Sequence, residues 1–155
     1  RSTLFPYTTL FRSGRRPTKL ERILYGSALD VYLREELILQ SLLGAVETKP
    51  QVWICDAEEL LAPLRTLEKA KCVMLSASTH SPLENVGSVE PMGDSNVVLL
   101  QADAVSAPLR AAFSSGVRQD EVQQTASLLT DAAKTMELLE PFSRIRKALT
   151  SLGEE

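Results

Sequence analysis

The sequence predicts a mixed α/β fold, in which long amphipathic helices at both ends flank a short, mainly parallel sheet of three to four strands. Short apolar runs at 51–56, 71–77 and 96–101 are typical of strands, and one short helical pattern separates the first two. Apolar residues recur at helical spacing before the first run and after the last one. We expect the first two strands to be parallel neighbours in a right-handed β-α-β unit.

The segment that opens the chain differs in kind from the rest. Residues 1–13, RSTLFPYTTLFRS, resemble a translated sequencing adapter, and their apolar positions have neither helical nor strand period. We therefore expect this segment to be non-native and the true N-terminus to be missing. The remainder, 14–155, is long enough for a single α/β domain or part of one. It divides into a helical lead-in (14–50), strand-helix units (51–116) and a helical C-terminal part (117–155).

The helical lead-in has a clear start and a clear stop. Thr18 and Glu21 have the spacing of a capping box, which closes the first turn of a helix. Gly26, followed by serine, is expected to break the helical segment in two. Pro50 disfavours helix at the residue before it and introduces the first strand.

Two stretches of the middle region are similar to each other. Val52–Arg65 and Val97–Arg110 align when slid by 45 positions, and both end in the letters APLR. Each is interpreted as an apolar strand, an acidic turn and a helix that a proline opens. A duplication and a convergence of strand-helix units both explain the match. Between the copies we expect a long loop, with a short edge strand at 87–90 that pairs back onto 96–101.

The C-terminal part has two amphipathic patterns that meet at Pro141. The apolar positions alternate spacings of three and four: Val122, Ala126, Leu129, Ala133 and Met136, then Phe142, Ile145, Leu149 and Leu152. We expect these stripes to pack on the sheet of the same domain. The alternative is that the C-terminal helices bind a protein partner or a second copy of the chain.

Composition excludes several classes of protein. The formal net charge of −3 leaves no broad basic surface, so nucleic-acid binding by this part of the chain is not expected. No apolar stretch reaches the roughly eighteen residues of a membrane span, so no membrane association is expected. Cys55 and Cys72 lie in apolar runs and are expected to be core side chains. The sequence indicates no metal site and leaves any cofactor unknown.

Polar side chains cluster where the predicted strands end. Ligands of open parallel sheets bind beyond the carboxyl ends of the strands. The candidate ligand-binding residues at these ends are Asp56, Glu59, Ser78, Thr79, His80 and Asp103. A simpler interpretation makes Asp56 and Glu59 the N-cap and capping partner of a helix. In the same way, the serine and threonine hydroxyls would bond local backbone, and His80 would be a solvated imidazole.

One arrangement of these residues resembles a known family. An apolar strand that ends in Asp56 and is followed by Glu58-Glu59, with a second strand ending in SAST (76–79), resembles the Walker B and sensor strands of P-loop NTPases. The resemblance implies that Asp56 and Glu58 or Glu59 orient magnesium and water, and that Ser78 or Thr79 reads the γ-phosphate. The phosphate-binding loop GxxxxGK[ST] is absent from 14–155.

We therefore expect a small cytoplasmic α/β module that binds, regulates or assembles and has no catalysis of its own. The lack of a catalytic motif favours a protein that is not an enzyme. One alternative is a fragment of a nucleotide-hydrolysing or metal-assisted enzyme that has lost its phosphate loop. Another is the effector or dimerisation part of a truncated transcription regulator.

Overall fold

The computed structural model describes residues 18–93 and 95–153. The expected non-native segment 1–13 lies outside these described residues. The chain divides into two compact units, Arg1–Lys49 and Pro50–Glu155. Their boundary falls at the end of the expected helical lead-in, and the single domain over 14–155 stays a prediction.

The described part of the first unit is helical from Lys19 to Gly44. It runs through three consecutive segments, α1 (Lys19–Tyr32), a π-helical stretch (Leu33–Leu39) and α2 (Gln40–Gly44). The predicted capping box is confirmed, since the Thr18 hydroxyl accepts from the Glu21 N–H and the Glu21 carboxylate accepts from the Thr18 N–H. The predicted break at Gly26 is confirmed too, because its φ of +49° and ψ of −135° lie outside the helical region.

The second unit contains a five-stranded sheet with strand order β1-β2-β5-β4-β3. Its elements in chain order are β1 (Val52–Cys55), a 3₁₀ turn (Glu58–Leu60), α3 (Leu61–Glu68), β2 (Lys71–Ser76), β3 (Val89–Pro91), β4 (Val97–Leu100), β5 (Leu109–Ala112), α4 (Gln119–Ala133) and α5 (Glu140–Gly153). The pair β1-β2 is parallel, and the three other neighbouring pairs are antiparallel.

The α/β class is confirmed, whereas the expected mainly parallel sheet of three to four strands is wrong. The sheet is mixed and has five strands. The expected parallel pairing of the first two strands is present, with Val52 opposite Lys71. The expected edge strand is β3, which lies antiparallel to β4 with Val89 opposite Leu100.

The sequence interpretation failed at the second copy of APLR. In the first copy Pro63 lies in the first turn of α3, where its missing N–H has no helical partner. In the second copy Pro108 precedes β5, and the residues after it form a strand instead of a helix. The strand forms because Leu109, Ala111 and Phe113 alternate along the chain and all join the core cluster or pack against it.

The core lies on one face of the sheet. Leu75, Ala111 and Val98 are opposite one another on β2, β5 and β4, so their side chains share this face. Helix α4 covers it with the predicted stripe, of which Val122, Ala126 and Leu129 are buried. Side chains on the opposite face, including those of Cys72 and Leu99, are buried as well, whereas Arg110 of β5 is exposed on that face.

Helix α5 departs from the expected packing on the sheet. The two patterns around Pro141 are separate helices, since α4 ends at Ala133 and α5 begins at Glu140. The side chains of Ile145, Leu149 and Leu152 are 55%, 63% and 70% exposed. Despite such exposed apolar residues, no helix in 18–93 or 95–153 combines the length and apolar character that crossing a membrane requires.

Because α4 is buried on one face and the apolar residues of α5 are exposed, the same substitution should change the free energy of unfolding by unequal amounts in the two helices. Leu129→Ala opens a cavity at a side chain that is 1% exposed, so it should lower the free energy of unfolding by about 2 to 5 kcal/mol. Leu149→Ala is the matched control on the exposed helix and should change it by less than about 0.5 kcal/mol. Urea denaturation of the two variants measures both values. Equal losses would show that Leu149 packs in the core.

Candidate functional site

Three strands of the sheet end at the same edge. Strands β1 and β2 are parallel, and β4 runs in their direction because β5 is antiparallel to both β2 and β4. Asp56, Ser78 and Asp103 come after these three strands and so lie along one edge. However, β1 and β4 are separated by β2 and β5, which makes three strand spacings or about 14 Å. Asp103 therefore lies apart from Asp56, and the three residues form three local groups because each has hydrogen-bond partners of its own.

The first group comes directly after β1. The carboxylate of Asp56 accepts a hydrogen bond from the guanidinium of Arg146 on α5. Ala57 is the residue that precedes the 3₁₀ turn, and no side chain caps it. The interpretation of Asp56 and Glu59 as N-cap and capping partner is therefore wrong. Glu59 is exposed at the start of this turn, and a role for either carboxylate in ligand binding stays a prediction.

The second group comes after β2 and lines a small cavity. The cavity has a volume of about 280 Å³ and is lined by Ala77, Ser78, Thr79, His80 and Arg110. The Ser78 hydroxyl donates to the Pro108 carbonyl at 2.5 Å and accepts from the His80 N–H at 3.3 Å. These bonds use the hydroxyl to hold the loop to the start of β5. Thr79, His80 and Arg110 are exposed at the cavity, and their binding role stays a prediction.

The third group is Asp103, which closes a tight turn. Its carboxylate accepts hydrogen bonds from the backbone N–H groups of Val105 and Ser106, at 2.8 and 2.7 Å. These bonds lower the pKa of Asp103, because they stabilise the charged form. The carboxylate therefore already has two backbone partners, as in the turns that aspartate commonly stabilises.

Sequence reasoning missed the buried amide of Gln101, which organises this edge. Gln101 is 2% exposed. Its side-chain oxygen accepts from the Leu83 N–H at 2.7 Å, and its nitrogen donates to the carbonyls of Asp103 and Ser106 at 2.6 and 2.8 Å. One side chain thus ties the loop before β3 to the turn after β4. The available signal was a polar residue directly after the apolar run VVLL (97–100).

Removing this amide should lower the stability of the fold. Gln101→Leu keeps much of the side-chain volume but leaves the Leu83 N–H and two carbonyls without their partner. We expect a loss of about 2 to 4 kcal/mol in the free energy of unfolding, because buried polar groups without partners carry their full desolvation cost. The matched control is Gln123→Leu on the exposed face of α4. If urea denaturation gave the same midpoint for both variants, the amide would have no organising role.

The cysteines are unsuited to nucleophilic chemistry at neutral pH. Both are free and buried. Burial raises the pKa of Cys72 to about 11 and also raises the pKa of Cys55, so each thiol keeps its proton. Within the described ranges, no group of three or more histidine, cysteine, aspartate or glutamate side chains is arranged to hold a metal ion.

Another set of residues, which sequence reasoning did not find, lies at the opposite end of strands β1 and β2. A cavity of about 510 Å³ lies near the amino ends of β1 and β2 and the start of α4. We call it the basic cavity. Its lining residues are Gln51, Arg65, Lys69, Ala70, Lys71, Arg118, Glu121 and Gln124. They come from three separate parts of the chain, so only the fold brings them together.

Another candidate surface lies on α5. Ile145, Leu149 and Leu152, here called the α5 stripe, are spaced four and three residues apart and share one face of the helix. Arg144, Arg146 and Lys147 lie on the same helix.

No protein-family model matches the chain, and neither a curated protein nor a solved structure shows significant similarity to it. The resemblance of strands β1 and β2 to P-loop NTPases therefore stays a prediction.

Proposed function

We propose that this chain is a small binding module of the cytoplasm, which assembles with a partner protein through the α5 stripe and carries out no catalysis of its own. The occupant of the stripe is an acidic amphipathic helix of that partner. The observation that carries the proposal is the exposure of all three stripe residues, which range from 55% to 70%.

The α5 stripe has the form of a helix-docking surface. Ile145, Leu149 and Leu152 have the i, i+4, i+7 spacing with which one helix packs against another. Full burial of such side chains contributes about 1.5 to 3 kcal/mol each. A contiguous apolar face of this kind costs solubility when it stays exposed, and it commonly marks an interaction site.

Charge selects the kind of partner. Helix α5 carries three basic residues and one acidic residue, although the whole chain has a formal net charge of −3. Two copies of α5 packed against each other would bring like charges together, which is unfavourable at an interface. An acidic helix would instead meet Arg144 and Lys147 with opposite charge.

The helix is anchored in a way that leaves the stripe available. Arg146 binds the Asp56 carboxylate at the end of β1, and Phe142 is half-buried near the start of α5. These contacts use the flank and the first turn of the helix. They do not use Ile145, Leu149 or Leu152. The two free thiols of the chain also fit the reducing conditions of the cytoplasm.

Two designed peptides test the proposal by fluorescence anisotropy. Both form amphipathic helices with the same leucine face, but one is flanked by glutamate and the other by lysine. We expect the full chain to bind the acidic peptide at least about tenfold more tightly, since each tenfold corresponds to about 1.4 kcal/mol. Leu149→Ser should weaken that binding by about tenfold.

Val105→Ser is the control, because Val105 is 90% exposed and belongs to the turn after β4, not to α5. It should leave peptide binding unchanged. Equal affinity for both peptides, or no effect of Leu149→Ser, would overturn the proposal. A dimer in solution that Leu149→Ser dissociates would also overturn it, since the stripe would then be an interface between copies.

A further inference from the structure

We propose that the basic cavity binds a small phosphate compound with at least two negative charges. Nothing in α5 contributes to this cavity, so the inference stands apart from the proposed partner binding. It rests on the charge of the cavity, on the backbone of Lys69 and on the chemistry of the lining side chains.

The cavity concentrates positive charge on an acidic protein. Its lining includes four basic side chains and one carboxylate, whereas the chain as a whole has a formal net charge of −3. Like charges gathered in one concave surface repel each other, and they attract an anion from solution. The volume of about 510 Å³ falls within the range of about 300 to 1,000 Å³ that is usual for small-molecule sites.

Glu121, the only acid among the described lining residues, is already paired. The Glu121 carboxylate accepts two hydrogen bonds from the Arg65 guanidinium, at 3.0 and 3.3 Å. This two-point pair joins α3 to α4 and forms one wall of the cavity. Arg118 contacts the Asp120 carboxylate at 3.2 Å in an exposed pair, which water and salt weaken.

The two lysines are not neutralised. No carboxylate of the described residues lies within ion-pair distance of Lys69 or Lys71. They are separated by Ala70 alone and both line the cavity. The cavity therefore has an excess of positive charge that a ligand with two or more negative charges would balance.

Lys69 also occupies a backbone conformation that a lysine adopts at a cost. It terminates α3 with a φ of +50°. Among the described residues, it is the only non-glycine residue with a positive φ. Glycine is the usual residue at such a helix end, because it reaches this conformation without steric strain. A glycine here would make the turn equally well, but it would not supply a cation to the cavity.

The other lining residues define what the anion carries. Among the described residues, the lining contains no aromatic side chain and Ala70 is its only apolar residue, so the described lining offers no platform on which a nucleobase would stack. Lysines bind phosphate as point charges. The amides of Gln51 and Gln124 can donate to phosphate oxygens and accept from hydroxyl groups. The site thus fits a diphosphate or a sugar phosphate.

Titration of the full chain with inorganic pyrophosphate at constant ionic strength tests this inference by calorimetry and by amide chemical shifts. We expect saturable binding, with shifts centred on residues 69–71 and 118–121. Lys71→Gln should weaken the affinity at least about fivefold. Lys69→Gly should weaken it similarly while leaving the melting temperature unchanged or slightly higher, which separates lost charge from lost folding.

The matched control is Lys134→Gln, which removes the same charge from an exposed lysine that pairs with Asp131. It should leave pyrophosphate affinity unchanged. An equal loss of affinity in Lys134→Gln and Lys71→Gln would overturn the inference, since binding would then depend only on overall charge. The absence of saturable binding by the unmodified chain at millimolar pyrophosphate would overturn it too. Neither result would depend on whether α5 binds its partner.

Discussion

The sheet depends on the pairing of β5 with strands on both of its sides. Met74 and Val97 both lie opposite Ala112, so this short strand joins the parallel pair β1-β2 to the hairpin β3-β4. Without it, two isolated strand pairs would remain, and such pairs are at best marginally stable in water. The small side chain of Ala111, which is 1% exposed, lies between Leu75 and Val98 on the face that α4 covers.

The sequence contains most of the elements but not the way in which they pair. The capping box at Thr18, the glycine break at Gly26 and the β1-α3-β2 unit can be derived from local patterns, because neighbours along the chain determine them. The identical letters APLR form helix in one place and precede a strand in the other, which local propensity cannot distinguish. The available signal for β5 was the alternation of Leu109, Ala111 and Phe113.

The candidate sites, like the fold, could be predicted from the sequence only in part. Residues at the ends of strands could be located from the sequence, since strand direction places Asp56, Ser78 and Asp103 at one edge. The insertion of β5 between β2 and β4 then separates Asp103 from the other two, and it brings Arg110 to the Ser78 cavity. The basic cavity could not be predicted, because the Arg65–Glu121 pair joins residues 56 positions apart. An amphipathic stripe also looks the same in sequence whether it is buried, as in α4, or exposed, as in α5.

The most direct test of this account is the conformation of residues 107–113 in solution, observed by nuclear Overhauser effects in isotope-labelled protein. The pairing of β5 with β2 and β4 predicts cross-strand contacts of the Ala111 backbone with Leu75 on one side and with Val98 on the other. Contacts between residues three apart along 107–113, with none across to β2 or β4, would show a helix. The five-stranded sheet, and both cavities that its edges define, would then be contradicted.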